Sequence, residues 1–334
     1  RVAQRRASVG ALVAGSGTWG TALAHVFRRA GLDVTIQCRR SERAEELRSG
    51  AHSFLPDLPQ EEGYQVCLAG EDAPPLVDLV ISAIPTQKIR EYLEGPGADL
   101  PRDVPWISAS KGLERETQAV PTQILQECGV SFPPAVLSGP SHAEEVLRNL
   151  PTAVVLAHPD EEFLLRVQKS LRTPEFRVYW SQDRVGVEWA GVLKNVIALG
   201  CGIAAGHGFG DNTIAAMVTR GSAEISRMGC RLGGQRETFS GLSGIGDLVV
   251  TCFSAHSRNR AVGEAMGAGN NVKDVLAEME QVAEGVHTCG AAYELSQSLD
   301  VEMPITEAVA KVLSGDYSVE ECVNELLLRV PDQE

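Results

Sequence analysis

No stretch of this chain approaches the roughly 18 consecutive apolar residues that a membrane-spanning helix needs. The longest candidate, Asn195 to Ala205, is short and interrupted by glycines, which argues against membrane insertion. The basic start, Arg1 to Arg6, leads into no apolar segment or small-residue cleavage site, so secretory targeting has no support. Positive charge is scarce as well: 30 Lys and Arg against 44 Asp and Glu leave a net charge of -14. That balance argues against nucleic acid or an anionic membrane surface as the main partner. A small anion is not excluded, because a few local cations can bind phosphate inside an acidic protein. Eight cysteines stand singly, at 38, 67, 128, 201, 230, 252, 289 and 322. None has the close spacing of a zinc site or a redox pair. They read as free thiols in a reducing cytoplasm, with no metal. Internal repeats and low-complexity linkers are absent.

The 334 residues suffice for two domains of ordinary size. In the first half, short β-type runs alternate with helical stretches. Ala7 to Val13 is followed by helical spacing over Thr18 to Ala30, which stops at Gly31. Asp33 to Cys38 is a second strand, and Ser41 to Ser49 a second helix with Ser41 as its expected N-cap. Val77 to Ile84, Trp106 to Ala109, Ala135 to Leu137, Thr152 to Ala157 and Phe176 to Trp180 continue the strand series. Such alternation implies a mainly parallel sheet with helices on both faces. After about Asp183 only helical patterns follow, from Val185 to Ala205 onward. The expected architecture is an α/β protein, with a Rossmann-type doubly wound sheet over 1–183 and an all-helical domain over 184–334.

Between the first strand and helix lies Gly15-Ser16-Gly17-Thr18-Trp19-Gly20. Strand before and helix after make this a dinucleotide loop rather than a chance turn. Gly15 permits the tight turn, Gly17 lets a pyrophosphate approach the backbone, and Gly20 lets helix and strand pack closely. The helix N-terminus then supplies free N–H groups for the phosphates. An NAD-specific site usually places an acid at the end of the second strand; here the chain reads Gln37-Cys38-Arg39-Arg40. Two guanidiniums suit a 2′-phosphate, so NADPH is favoured and NADH remains possible.

Further polar clusters follow. Ser110-Lys111-Gly112 comes directly after a strand, which places Lys111 at a sheet edge. Ser138-Gly139-Pro140-Ser141 follows another strand, with Ala143 beginning a helix. Lys194-Asn195 lies in a largely apolar helix. Ser257-Arg258-Asn259-Arg260 offers a phosphate-binding set at a helix start, after Gly246-Asp247 and its apolar, strand-like tail. Together they supply the cationic, hydroxyl and amide groups that a small phosphorylated alcohol needs.

These segments, with Phe54-Leu55-Pro56, Ser110-Lys111-Gly112-Leu113-Glu114, Ser138 to Glu145, Leu193 to Ala198, Gly244 to Leu248 and Glu284-Gly285, resemble those of bacterial-type NAD(P)-dependent glycerol-3-phosphate dehydrogenases over nearly the whole chain. The resemblance implies a helical domain like the C-terminal domain of 6-phosphogluconate dehydrogenase. It also implies reversible reduction of dihydroxyacetone phosphate to sn-glycerol 3-phosphate, feeding the glycerophosphate backbone of phospholipids, by an enzyme that is often a homodimer. By the same resemblance Thr18, Trp19, Arg39 and Arg40 contact the cofactor, and Lys111 reaches both cofactor and substrate. Gly139 and Ser141 touch substrate, and Ala143 the nicotinamide side. Lys194 is the proton-transfer lysine. Asp247, Ser257, Arg258 and Asn259 meet substrate, Arg258 also lying near the cofactor, while Val282 and Glu284 are late cofactor contacts. Gln37-Cys38 departs from the usual Trp-containing strand end.

The chemistry is coherent on its own terms. Lys194, as an ammonium, can donate the proton and stabilise the developing alkoxide. With an ordinary pKa near 10.4 its acid form is populated, and a second cation at Lys111 would lower that value. Arg258 can hold the substrate phosphate as a fork. A hydroxyacid dehydrogenase would need a carboxylate pocket instead, and a dinucleotide sensor would have no use for Lys194, Lys111 and Asp247.

Overall fold

The computed structural model describes residues 9–55, 63–72, 74–279 and 283–328. The chain divides into two compact units: residues up to Ser110 with Pro121–Arg184, and Lys111–Val120 with residues from Val185 on.

The first unit runs β1 (Gly10–Ala14), α1 (Thr18–Arg29), β2 (Asp33–Cys38), α2 (Ser41–Arg48), β3 (Gln65–Leu68), β4 (Leu79–Ser82), α3 (Ile89–Glu94), β5 (Trp106–Ser108), α4 (Pro121–Glu127), β6 (Ala135–Ser138), α5 (Ala143–Leu147), β7 (Thr152–Ala157), α6 (Glu161–Leu171) and β8 (Phe176–Ser181). The eight strands lie in the order β3-β2-β1-β4-β5-β6-β7-β8. Among the described residues, only β6 and β7 pair antiparallel. Chain order reverses about β1, and the glycine loop leaves β1 at that switch point, where open α/β sheets bind their ligands. On β1 and β4, Ala11, Val13, Leu79 and Ile81 are buried on one face and Leu12 and Val80 on the other, as strands covered on both faces require. Val13, Leu79 and Ile81 each contribute about 1.5–3 kcal/mol by burial.

The alternation pattern does not announce β3. Its four residues, Gln65 to Leu68, sit at the sheet edge, the first two less buried than the last two, and carry too short a period to register. At α2, Arg40 occupies the N-cap and Ser41 is the first helical residue, without a side-chain cap.

The second unit contains α7 (Arg184–Gly206), which begins at its boundary, then α8 (Asp211–Arg231), α9 (Asp247–Phe253), α10 (Arg258–Gly267), α11 (Val272–Glu278), α12 (Glu284–Ser298), α13 (Pro304–Ser314) and α14 (Val319–Leu328). Helix α7 is long and apolar enough to cross a membrane by length and composition, yet 89% of its apolar window is buried within the protein. It is the central helix of this unit's core. A Cβ on Gly202 would lie 2.2 Å from the Arg260 carbonyl oxygen, and one on Gly263 2.2 Å from that of Leu199. Helices α7 and α10 therefore pack backbone to backbone, which brings Asn195 to Asn259.

The segment after Asp247 is helix α9, not a strand-like tail. Leu248, Thr251 and Cys252 are buried while Val249 and Phe253 are exposed, an i, i+3, i+4 pattern that packing enforces over the β-branched composition. Lys111 does not sit at a sheet edge either. The chain leaves the sheet after Ser108, and the Lys111–Val120 segment belongs to the helical unit. There Asn195 Nδ2 donates to the Lys111 carbonyl at 3.0 Å, and the Leu113 N–H donates to Thr288 Oγ1 at 3.3 Å.

Candidate active site

In the first unit, Gly15 takes φ +110°, and a Cβ there would meet the Ala83 carbonyl at 2.7 Å. Gly17 has no atom within 4 Å of a would-be Cβ, leaving room for a phosphate to approach the backbone. A Cβ on Gly20 would collide with the Gly15 carbonyl at 2.0 Å, so this residue sets the close fit of loop and helix. Helix α1 starts at Thr18 with Gly17 as N-cap, no side-chain cap and no acid in its first turn. Its leading N–H groups and the dipole thus suit an anion. Thr18 is buried, and Trp19 packs half-buried on the sheet core. A dinucleotide pyrophosphate fits this cradle.

Arg39 and Arg40 are both exposed beyond β2. Arg39 Nη1 lies 3.8 Å from Glu91 Oε1, an exposed pair worth little and easily redirected. At the end of β6, Gly139 takes φ +136° and Ser141 Oγ donates to the Gly139 carbonyl at 2.9 Å. Ala143 is buried as the first residue of α5.

The second unit gathers the ionisable groups. Lys194 and Asp247 are almost fully buried. Lys194 Nζ donates to Asp247 Oδ1 at 2.5 Å and to Thr251 Oγ1 at 2.7 Å. Lys111 Nζ donates to the other carboxylate oxygen, Oδ2, at 2.7 Å. Thr251 in turn donates to the Asp247 carbonyl at 2.6 Å, so its hydroxyl oxygen is turned toward Lys194. A π-helical turn, Leu242–Gly246, directly precedes Asp247, a distortion often found at functional sites.

Two ammoniums thus share one carboxylate in a dry setting. Burial drives Lys194 down; Asp247 opposes this, and Lys111 adds to it. The net result is a value of about 8. The ordinary lysine value expected from sequence is therefore wrong for this residue, because desolvation outweighs the ion pair. Burial pushes Asp247 up, but Lys111 and Lys194 outweigh it and hold the carboxyl below its usual range.

Beside this group runs a directional amide relay. The Gly285 N–H donates to Asn259 Oδ1 at 2.8 Å, Asn259 Nδ2 donates to Asn195 Oδ1 at 2.9 Å, and Asn195 Nδ2 reaches the Lys111 carbonyl. Asn259 is thereby committed to the relay through both ends of its amide. Ser257 is the N-cap of α10, its Oγ accepting from the Arg260 N–H at 3.2 Å. Arg258, first in α10, is exposed. Arg260 Nε holds Glu264 Oε1 at 2.7 Å, and its Nη1 donates to the Phe253 carbonyl. Glu284 opens α12 half-buried. Val282 lies outside the described residues. No cluster of three or more His, Cys, Asp or Glu suited to a metal occurs among the described residues.

Sequence reasoning missed Thr251. Its signal was the i, i+4 spacing from Asp247, hidden because the segment was read as extended. The structural part of Asn195, seen only as a neighbour of Lys194, was missed too.

Residues 11–164 match the family described as NAD-dependent glycerol-3-phosphate dehydrogenase N-terminus, and residues 183–324 match the corresponding C-terminus. A glycerol-3-phosphate dehydrogenase [NAD(P)+] of Salinibacter ruber is 44% identical over 320 residues, covering 94% of each chain. One from Geobacter sulfurreducens is 44% identical over 325 residues, covering 95% of this chain and 96% of the other. The crystal structure of glycerol-3-phosphate dehydrogenase from Coxiella burnetii superposes with a TM-score of 0.90 at 33% identity, covering 96% and 99% of the two chains. With both parts of the family matched in order and relatives spanning nearly the full length, the chain belongs to the NAD-dependent glycerol-3-phosphate dehydrogenase family.

Proposed function

We propose that the protein reduces dihydroxyacetone phosphate to sn-glycerol 3-phosphate, reversibly, with NADPH preferred over NADH. The observation that carries this reading is the Lys111–Asp247–Lys194 group, in which one buried carboxylate is shared by buried Lys194 and partly buried Lys111 beside a phosphate-suited helix start. The cofactor supplies the hydride. Gly15, Gly17, Thr18, Trp19 and Gly20 would hold its pyrophosphate end, Arg39 and Arg40 its 2′-phosphate, and Ala143, Arg258 and Glu284 would flank it. Lys194 donates the proton to the alkoxide oxygen and stabilises its charge beforehand. Asp247 keeps the two ammoniums together, and Lys111 steers the carbonyl oxygen. Ser257, Arg258, Gly139, Ser141 and Asn259 orient the phosphorylated substrate. Asn259 has one amide proton to offer beyond the relay.

The direct test follows NADPH oxidation by absorbance with dihydroxyacetone phosphate as substrate and NADH in parallel. NADPH binding without turnover would overturn the reading. Replacing Arg39 and Arg40 together with alanine should raise the NADPH KM by about tenfold to a hundredfold, the worth of charge-assisted hydrogen bonds, and leave the NADH KM nearly unchanged. An equal rise for both cofactors would remove the arginines from 2′-phosphate recognition.

A pH dependence follows from Lys194. Reduction needs the ammonium and oxidation the amine. The kcat/KM for ketone reduction should fall as pH rises through about 8, and that for glycerol 3-phosphate oxidation should rise over the same range. A reductive rate flat to pH 10 would contradict the depressed value. We extend to this chain the homodimeric state, the cytoplasmic location and the supply of glycerophosphate for phospholipid synthesis that its resemblances imply.

A further inference from the structure

The chemistry above leaves Phe54-Leu55-Pro56 without a part, yet the residue just ahead of it reaches the glycine loop. His52 is 3% exposed. Its Nδ1 accepts the backbone N–H of Phe54 at 3.2 Å, within a turn closed by the Leu55 N–H donating to the His52 carbonyl at 2.9 Å. A neutral imidazole with one nitrogen accepting carries its proton on the other. Nε2–H therefore donates to the Ser16 carbonyl, 3.3 Å away. Burial, reinforced by the Arg43 guanidinium, pushes His52 down to about 4, so the ring stays neutral at working pH. Arg43 also braces the turn, lying 5.1 Å over the Phe54 ring and donating to Ser53 Oγ at 3.1 Å.

Ser16 is held from the strand side as well. The Gly15 N–H, one residue earlier, donates to the Gln37 carbonyl at 3.2 Å. In a trans peptide the C=O and the following N–H point in opposite directions. With the Ser16 carbonyl turned to His52, the Gly17 N–H faces away from it. That N–H donates to no backbone carbonyl among the described residues.

We propose that His52 is a positioning residue for the cofactor: its Nε2–H holds the Ser16 carbonyl and so presents the Gly17 N–H to the pyrophosphate. The inference rests on the dinucleotide reading of the loop. It also explains why the turn preceding Leu55 is built so tightly so far along the chain from the loop it serves.

The test compares variants that differ in the donor. His52→Phe keeps a ring and removes the N–H, and should raise the NADPH Kd about tenfold, the worth of one well-aimed hydrogen bond to a charged group. The kcat at saturating NADPH and the KM for dihydroxyacetone phosphate should stay near wild type. Adenosine 2′-phosphate, which has no pyrophosphate, should bind both proteins alike. His52→Gln and His52→Met have similar length, but only the amide can donate, so Gln should bind NADPH about tenfold more tightly than Met. This second pair decides the matter if the phenylalanine variant does not fold. Equal NADPH affinity within the Gln/Met pair, or equal weakening of NADPH and adenosine 2′-phosphate in His52→Phe, would overturn the assignment. Wild-type protein that fails to bind NADPH at all would overturn the dinucleotide reading and this inference with it.

Discussion

Lys194→Ala should lower kcat for dihydroxyacetone phosphate reduction by about 10³–10⁴-fold, while the substrate KM changes only a few-fold. The size of the loss follows from two contributions removed at once, the proton donor and a buried positive charge beside the developing alkoxide. The small KM effect follows because the phosphate, assigned to Arg258 and Ser257 at the start of α10, is bound by groups the substitution leaves in place. Folding should also survive. Asp247 keeps its 2.7 Å bond from Lys111, so no buried carboxylate is stranded, and Thr251 still donates to the Asp247 carbonyl. Lys194→Arg separates the two contributions. A guanidinium keeps the charge but does not release its proton at any working pH, so this variant should remain nearly as slow if proton transfer is the larger share. Steady-state kinetics with NADPH and a thermal melt on the same samples check the set. Near-normal turnover in Lys194→Ala would remove the residue from its role.

How much of this could be seen in the sequence differs between backbone and site. All strands but β3, and helices such as α1 and α7, were legible from an apolar period or a glycine stop, as at Gly31, where φ is +92°. The 3.6-residue period of α9 lost to its β-branched run, Val249-Val250-Thr251, and only packing of Leu248 and Thr251 inward resolves it. The glycine loop was legible residue by residue, since each glycine answers a local steric demand. Lys111 was legible as a residue and not as a place. What puts it in the helical unit is a bond to its backbone carbonyl from Asn195, 84 positions away, and no local pattern records such a partner. A second cation at Lys111 signals the direction of the Lys194 shift, but its larger cause, burial, belongs to the whole core and leaves no local pattern. Glu224 is a further case: a buried carboxylate that accepts the Ile305 and Thr306 N–H groups at 2.6 and 3.2 Å, closing the start of α13 from 81 and 82 residues away.

The most informative single change is Asp247→Asn. It preserves shape but leaves the ammoniums of Lys111 and Lys194 facing each other without a counter-charge. Removing one partner of a buried ion pair costs about 3–5 kcal/mol, and here one carboxylate serves two cations, both oxygens engaged at 2.5 and 2.7 Å. The protein can relieve part of that cost by releasing a proton, which moves Lys194 further below its present value of about 8. The sign then follows from linkage. A lysine with a depressed folded pKa makes the unfolded chain the better proton binder above that pKa, so stability rises with pH from there toward the unfolded value near 10.5. In the variant that rise begins at a lower pH than in wild type. The stability defect should therefore be largest near pH 6 and narrow as pH approaches 8. Urea midpoints measured across that range read it directly. Activity should move the opposite way from a simple charge loss: ketone reduction near pH 7 collapses because the acid form of Lys194 is scarce, and part of it returns as pH is lowered, provided the fold holds. A defect independent of pH would mean that Asp247 acts through packing alone and that the two lysines are not electrostatically tied to it.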